Sequence, residues 1–587
     1  MTCKRIGYWG VALVSILILS LTFVIPAAGG RDDVERKREV TLTLLGYVVN
    51  TQGTAIDEAE VRVFFGGALQ TLEVAGKRTQ VAHTDREGLF VADLTLKDGL
   101  TEKDSVAVEV SRPGFRTIHK GFAMQGVAHT DDHYYLQAPD FVMPRIFHPA
   151  FYLATGIFLV VFGAISLNLL HETIAALLGV ASMLGISYFL GGSNADFWII
   201  DFDRAISFID FDVVFLLLTM MIFMAVMSQT GVFQWLAFQA FRLARGKTFL
   251  VAAGLIVITG ITSSILNDTT VMLLMTPVSI QIALALGIHP AAIVVPEVMA
   301  SNIGGAATLI GNPPNTIIGS YVGLGFNAFI VNMLPISTMS MIILVVMTRW
   351  LYRDEFLREG KAPSAVLVEQ LQEGAQITDV RLLQKSVILF SLTLILFFLG
   401  DSFSMPPAVV TILGSSALLL WVRPNVNDML REVDWTTLVF FMSLFMMVGG
   451  IQEVGLIQLI AETVKNLAGS NLLLATALVI WVSAFASAIV ANIPFTSAIV
   501  PVTVFLTQTI PGAENNVLYW ALALGACLGG NATYIGSAPN IVAMGILDRA
   551  GYRLKFSEFS RVGIPITIVT VLVPMLWIFV RYFWLIF

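Results

Sequence analysis

Two periodicities divide the chain. Between about residues 31 and 140, apolar and polar positions alternate, as in VTLTLLGYVV (Val40–Val49), EVRVFF (Glu60–Phe65), LFVADLTL (Leu89–Leu96) and SVAVEV (Ser105–Val110), with Gly and Asp turns between the runs. A period of two sends successive side chains to opposite faces of a strand, so residues 31–140 predict a small all-β sandwich. From His148 onward the alternation gives way to apolar runs near 149–170, 173–193, 209–229, 248–266, 268–285, 290–322 and 327–348, and the pattern recurs over 386–587. About 20 apolar residues at 1.5 Å each match the hydrocarbon core of a bilayer, so these runs predict a polytopic α-helical membrane protein. Ahead of both regions, Lys4 and Arg5 precede the apolar stretch Ile6–Pro26 and the small residues Ala27–Gly30. Residues 1–30 therefore read as a cleavable secretory signal or an uncleaved signal anchor, and either one sends the downstream chain across a membrane.

Composition and charge narrow the function. The chain is 56% hydrophobic and only 13% charged, about half the charge of an average soluble domain. Its net charge of −7 lacks the basic excess a nucleic-acid partner requires. Cys3 and Cys527 stand far apart and the seven histidines are scattered, so neither a disulfide framework nor a metal cluster is expected. No nucleophile–base pairing, HExxH or paired-histidine motif points to an enzyme. The basic residues give orientation. Arg242, Arg245 and Lys247 cluster after the third run, and Arg349, Arg353, Arg358, Lys361, Arg381 and Lys385 cluster in a 349–385 loop. The positive-inside rule makes both clusters cytoplasmic and puts the sandwich on the extracytoplasmic face of a plasma or inner membrane. An even number of crossings must then separate 248 from 348. The sequence satisfies this if 248–266 and 268–285 form a re-entrant hairpin, 290–322 is one interrupted span, and 327–348 is the last.

An internal repeat locates a site. Asn267 matches Asn492, Gly304-Gly305 matches Gly529-Gly530, Thr308 matches Thr533, Gly311 matches Gly536, and Pro314-Asn315 matches Pro539-Asn540, all at an offset of 225. Upstream, at 224, Asp210-Phe211 matches Asp434-Trp435 and Gly231 matches Gly455. The units span 148–348 and 386–587. Each holds three spans, a hairpin, an interrupted span and a last span, an odd number of crossings, so the second lies inverted relative to the first. Inverted repeats with paired interrupted segments are the signature of a secondary transporter with a midplane site. The breaks SNIGGAATLIGNPPN (Ser301–Asn315) and GGNATYIGSAPN (Gly529–Asn540) cannot be continuous helix. Unwound backbone at that depth is tolerated only where it lines a cavity or is buried in protein. Helix N-termini at such breaks are expected to present N–H groups to an anion. Unwound carbonyls with Asn and Thr oxygens would offer ligands to Na⁺.

These residues resemble the ion-transporter superfamily branch of arsenite permeases (ArsB), NhaD-type sodium/proton antiporters and the melanosomal P protein, with the citrate and dicarboxylate sodium symporters further off. The resemblance spans about 435 residues and implies a homodimer, scaffold and transport domains, elevator-like alternating access, and Na⁺ or H⁺ as the coupling ion with no other cofactor. Separately, Asn50–Gly53, Ala59–Val61, Thr84–Gly88 and Arg112–Phe115 resemble the carboxypeptidase-regulatory or transthyretin-like sandwich family. Two departures matter. Relatives of the P-protein kind often carry Asp-Asn at each hairpin tip, whereas here the tips read Leu266-Asn267-Asp268 and Ala491-Asn492. The break motif often reads G-D-P-P-N, whereas here it is Gly311-Asn312-Pro313-Pro314-Asn315. Both reduce the negative charge available to a cation and leave room for an anionic or neutral substrate.

The candidate substrate and ion ligands are Asn267, Asp268, Thr269, Ser301, Asn302, Gly304, Gly305, Thr308, Asn312 and Asn315 in the first unit. In the second they are Asn492, Thr496, Gly529, Gly530, Asn531, Thr533, Ser537 and Asn540. Na⁺ is expected at Asn267, Asp268, Thr308, Asn492 and Thr533. Asp268 is either the coupling carboxylate or a cap on the hairpin's return helix, since an ionisable group in a span is costly and marks an ion pathway. Glu297 is either a proton carrier or a partner to nearby backbone. The asparagines either ligate substrate or pair with loose backbone at their own breaks. Asp210 and Asp434 read as interfacial caps, and Glu453 and Asp401 as solvated span ends. The expected function is secondary active ion transport coupled to Na⁺ or H⁺ on a small ion or solute, in lipid and without nucleic acid. The alternatives are a Na⁺-coupled di- or tricarboxylate symporter and a passive channel on the same scaffold.

Overall fold

The computed structural model describes residues 40–50, 55–56, 59–74, 77–85, 87–96, 105–112, 115–123, 128–130, 133–144, 147–167, 169–245, 247–357, 365–469 and 471–584. The N-terminal 1–30 segment, Gly53, Arg358 and Lys361 lie outside the described residues.

The alternating region forms two facing sheets. Strands β1 (Val40–Asn50), β2 (Glu60–Phe65), β3 (Ala68–Leu69), β4 (Leu72–Val74), β5 (Lys77–Thr79), β6 (Ala82–His83), β7 (Leu89–Leu96), β8 (Ser105–Ser111), β9 (Ile118–Ala123), β10 (Ala128–Thr130), β11 (His133–Gln137) and β12 (Phe141–Met143) follow in order. One sheet runs β10-β11-β1-β7-β4-β5 with β12 alongside β1, and the other runs β3-β2-β8-β9 with β6 alongside β2. The period of two is visible in β8, where Val106, Val108 and Val110 turn inward to face Leu42, Leu44, Phe90 and Phe141. Gly88 sits in the turn before β7 at φ +75°, where a Cβ would lie 2.5 Å from the Val48 carbonyl oxygen. Asp85 closes that turn by accepting from the Glu87 and Leu89 N–H groups, both at 2.9 Å.

The remainder is organised as two sets of nine helices in parallel order, with connecting helices between them. The first set is α1 (Pro149–Ser166), α2 (Glu172–Ile186), α3 (Phe211–Ser228), α4 (Val232–Leu243), α5 (Thr248–Ile265), α6 (Asp268–Ala285), α7 (Ala291–Gly305), α8 (Pro313–Val322) and α9 (Phe326–Leu351). The second is α10 (Val380–Gly400), α11 (Pro407–Val422), α12 (Trp435–Glu453), α13 (Leu456–Ala468), α14 (Leu472–Ile489), α15 (Asn492–Thr509), α16 (Val517–Gly529), α17 (Ala538–Arg549) and α18 (Phe556–Phe579). Among the described residues, ten helices are long and apolar enough to cross a bilayer. α10 begins at Val380, inside the 349–385 stretch, because Asp379 caps it by accepting from the Arg381 and Leu382 N–H groups. Asp210 and Asp434 cap α3 and α12 in the same way.

Contacts between helix ends fix the inversion. α13 carries Gln458, Glu462 and Lys465 against Asn50, Arg112 and Phe115 of the sandwich, so α12 ends on the sandwich side. There Glu453 pairs with Arg204, just ahead of α3, at 2.6 Å. α3 therefore starts on the sandwich side, and it ends on the far side, where the Thr378 N–H donates to Thr230 O at 2.9 Å. α12 begins on that far side, as Thr173 at the start of α2 donates to Thr436 O at 2.9 Å. Matching helices thus cross in opposite senses, as the odd crossing count requires. α1–α3 and α10–α12 pack into an outer group, and the hairpins α5–α6 and α14–α15 with the broken spans α7–α8 and α16–α17 form a core group.

Candidate functional site

Each hairpin tip meets a break through close backbone approach. Gly304 and Gly529 end α7 and α16 where a Cβ would collide with Gly260 O of α5 and Ala484 O of α14 respectively. At Gly311 and at Gly536 a Cβ would lie 2.8 Å from Ser263 O and Ser487 O, and 2.6 Å from Gly305 O and Gly530 O. The symmetry read from sequence is therefore a symmetry of geometry, and glycine is required at these points for lack of space. Thr308 donates to Ser264 O and accepts from the Gly311 N–H, while Thr533 donates to Ala488 O at 2.6 Å. These hydroxyls fasten the breaks to the hairpin ends.

The first tip concentrates charge. Asn267 caps α6 by accepting from the Thr270 N–H at 3.2 Å. Asp268 follows, buried, with Oδ1 accepting from the Thr269 N–H at 2.8 Å and the Thr269 hydroxyl at 3.3 Å. Its Oδ2 is buried and has no hydrogen-bond partner among the described residues. Ser301 shares a 2.7 Å bond with Ser263 and donates to Asp268 O at 3.2 Å. Glu297 lies one helical turn before Ser301 on α7 and accepts from the Thr259 hydroxyl at 2.8 Å. The second tip is neutral. Asn492 opens α15 and donates its N–H to Gly536 O at 3.2 Å, Ile493 stands where the first tip has Asp268, and the Thr496 hydroxyl is turned back to Asn492 O at 2.7 Å. Ala491 supplies no side-chain cap to α15. The five residues expected to hold Na⁺ therefore divide between two tips.

The remaining asparagines meet where the units join. Asn302 donates to Asn531 Oδ1 at 2.7 Å and Asn540 Oδ1 at 2.9 Å. Its counterpart at an offset of 225 is Cys527, whose thiol lies 3.4 Å from Asn315 Oδ1 and accepts from Asn312 Nδ2 at 3.2 Å. Asn315 donates to Ala306 O and Thr308 O at 3.0 and 2.8 Å, and Asn540 donates to Gly530 O and Thr533 O, both at 2.9 Å. The Asn315 and Asn540 amides pair the carbonyls that unwinding leaves over, while Asn302, Asn312 and Asn531 donate to the opposing unit and Asn302 Oδ1 stays buried without a partner among the described residues. Ser537, at the start of α17, is buried with its hydroxyl unpartnered among the described residues. Asn315→Ala would strand two buried carbonyls at about 1–3 kcal/mol each, and a markedly lower thermal unfolding midpoint of the purified protein is the expected result.

One expectation requires correction. The start of α8 offers little to an anion. Pro313 and Pro314 have no N–H, and the Asn315 N–H is taken by Asn312 Oδ1 at 3.3 Å. Ser263 and Ser487 belong to the tip segments that the sequence marks as completing each site, whereas sequence reasoning passed over Thr259, whose signal is a polar residue four positions before Ser263 inside an apolar run, and Cys527 as the match of Asn302.

Paired hairpins and broken spans with buried polar tips define a membrane transporter built from inverted repeats. The chain belongs to the citrate transporter family CitMHS, which matches residues 157–525. An uncharacterized transporter of Mycobacterium tuberculosis is 33% identical over 432 residues, 73% of this chain and 99% of its own. The human P protein is 30% identical over 510 residues, covering 73% of this chain and 60% of that one. The YdaH transporter of Alcanivorax borkumensis aligns with 71% of this chain and 99% of its own at 14% identity and a TM-score of 0.47, too low to transfer geometry.

Proposed function

We propose that the protein is a secondary active transporter in which the core group moves against the outer group, elevator fashion, and carries a small ion or solute at the expense of a Na⁺ or H⁺ gradient. The observation that carries this reading is the buried Asp268 carboxylate with an unpartnered oxygen at a hairpin tip. Bilayer-depth carboxylates of this kind serve ion pathways. A homodimer held through the outer group, with the sandwich on the extracytoplasmic side, completes the proposal.

A second reading, uptake of a carboxylate, is favoured by the second tip. Among the described residues, α15 has no side-chain cap, its Ile493 N–H has no backbone partner, and the Asn492 amide makes no hydrogen bond. An uncapped helix start with a free amide suits a carboxyl group, and the name of the family points the same way. The test is purified protein in liposomes loaded with a pH dye, given an inward Na⁺ or Li⁺ pulse. A cation-driven pH change supports ion antiport. A silent trace sends the search to anions, metalloid oxyacids and carboxylates, through thermal shifts measured with and without Na⁺. Asn267→Ala and Asn492→Ala are each expected to abolish transport, the first with about 1 kcal/mol of lost capping. Wild-type rates in both would remove the two tips as binding elements.

A further inference from the structure

The core of the first unit contains a second buried carboxylate with no counterpart in the other. Glu297 is fully buried in α7, and its Oε2 has no hydrogen-bond partner among the described residues. The Ser279 hydroxyl of α6 faces the same carboxyl and is itself unpartnered, as is Thr276 one turn nearer the tip. An unpaired carboxylate at that depth is costly unless a positive charge joins it. Among the described residues no Lys, Arg or His faces it from α5, α6 or α7.

The polar groups around Glu297 form a ladder. On α5, Thr259 and Ser263 are four residues apart, and on α7 Glu297 and Ser301 are four apart, so each pair lies on one helix face about 5–6 Å apart. The first rung is Thr259 to Glu297 at 2.8 Å. The second is Ser263 to Ser301 at 2.7 Å, and it continues from Ser301 to the Asp268 backbone at 3.2 Å. In the second unit the α14 hydroxyls persist as Ser483 and Ser487, but Leu522, Ala526 and Ile493 replace Glu297, Ser301 and Asp268. There Ser487 has only the Ala526 carbonyl to bond, at 2.7 Å.

We propose that Glu297 is a proton-binding site that exchanges its proton with Asp268 across the Ser301–Ser263 rung, which confines proton handling to the first unit. This rests on the reading of Asp268 as the coupling carboxylate. The transfer balances. A proton leaves the Asp268 carboxyl and the Glu297 carboxylate is neutralised as Asp268 becomes charged, while the serine pair accepts one proton and releases one; because Ser301 touches only the Asp268 backbone carbonyl and stands one turn from Glu297, the path requires a water on each side of the pair. A proton fits this pocket better than Na⁺. A bound proton needs only the Glu297 carboxyl and one oxygen to donate to, which Ser279 offers, whereas a hard cation needs several oxygens around it, and besides the carboxylate only the Ser279 and Thr259 hydroxyls face this site.

The test uses infrared spectra of the purified full-length protein in lipid, read at the C=O stretch of protonated carboxyls. Glu297→Gln should remove one component that is present in the wild type and in Asp268→Asn. Ser301→Ala should keep that component and slow its deuterium shift in D₂O by about tenfold or more. A Glu297→Gln spectrum that loses nothing overturns the site, and unchanged deuteration in Ser301→Ala overturns the link to Asp268. Because the Glu297 component is read without substrate, it stands or falls separately from the coupling role of Asp268.

Discussion

Asp268→Asn will leave the protein folded and remove the dependence of transport on its driving ion. The substitution keeps what the fold uses. An asparagine Oδ1 still accepts from the Thr269 N–H, now at 2.8 Å, and Asn267 still caps α6. The charge at Oδ2, the atom with no protein partner, disappears. Nothing else at the tips can replace it, since the second tip has Ile493 in the matching position. The cation-driven signal in liposomes should fall by about 100-fold or more, the scale at which loss of a positioned proton-transfer group is felt. The circular dichroism spectrum and elution volume should be those of the wild type. If the variant keeps its full H⁺ or Na⁺ dependence, Asp268 is a cap and the coupling group lies elsewhere.

The tips and breaks were legible because a membrane leaves the sequence few options. Gly304-Gly305 and Pro313-Pro314 inside apolar runs cannot be continuous helix, and crossing parity between the basic clusters at 242–247 and 349–385 leaves room for a hairpin. The strands were legible from their alternation, which survives in β1, β2, β7 and β8 almost residue for residue. The direction of each asparagine was not. Asn302 and Asn315 read either as ligands or as partners to loose backbone; Asn302 is taken up by the opposing unit, more than 200 positions away, while Asn315 donates to the carbonyls of its own break. The error at α8 was of another kind. The two prolines were visible, and they remove the very N–H groups credited to that helix start. Thr259 escaped notice because an isolated hydroxyl in an apolar helix ordinarily bonds its own preceding turn, and only the packing of α5 on α7 turns Ser263 and Thr259 toward Ser301 and Glu297.

Gly304→Ala will prevent the core group from assembling. The added Cβ would strike Gly260 O, with the Gly260 carbonyl carbon and Cα each 2.6 Å away, and all three are backbone atoms that no rotamer change can move. Relief requires α5 and α7 to separate along their length, which breaks the Ser263–Ser301 bond and lifts the Thr308 hydroxyl from the end of the hairpin. Overpacking that side chains can absorb costs about 1–3 kcal/mol, and this clash exceeds that range, so little folded protein should be recovered. Gly545→Ala is the control. It sits half-buried within α17 with nothing in reach of a new Cβ, and exchanging a helical glycine for alanine where there is open space should stabilise by up to about 1 kcal/mol. Yield and melting temperature after size-exclusion chromatography distinguish the two. Gly529→Ala applies the same test to the other unit, where the Cβ meets Ala484 O at the equivalent place. Equal failure at Gly304 and Gly529 is what two copies of one helix crossing require. Wild-type behaviour at either would mean that the crossing there is wider than the structure has it, and that the likeness of the two sites stops at the sequence.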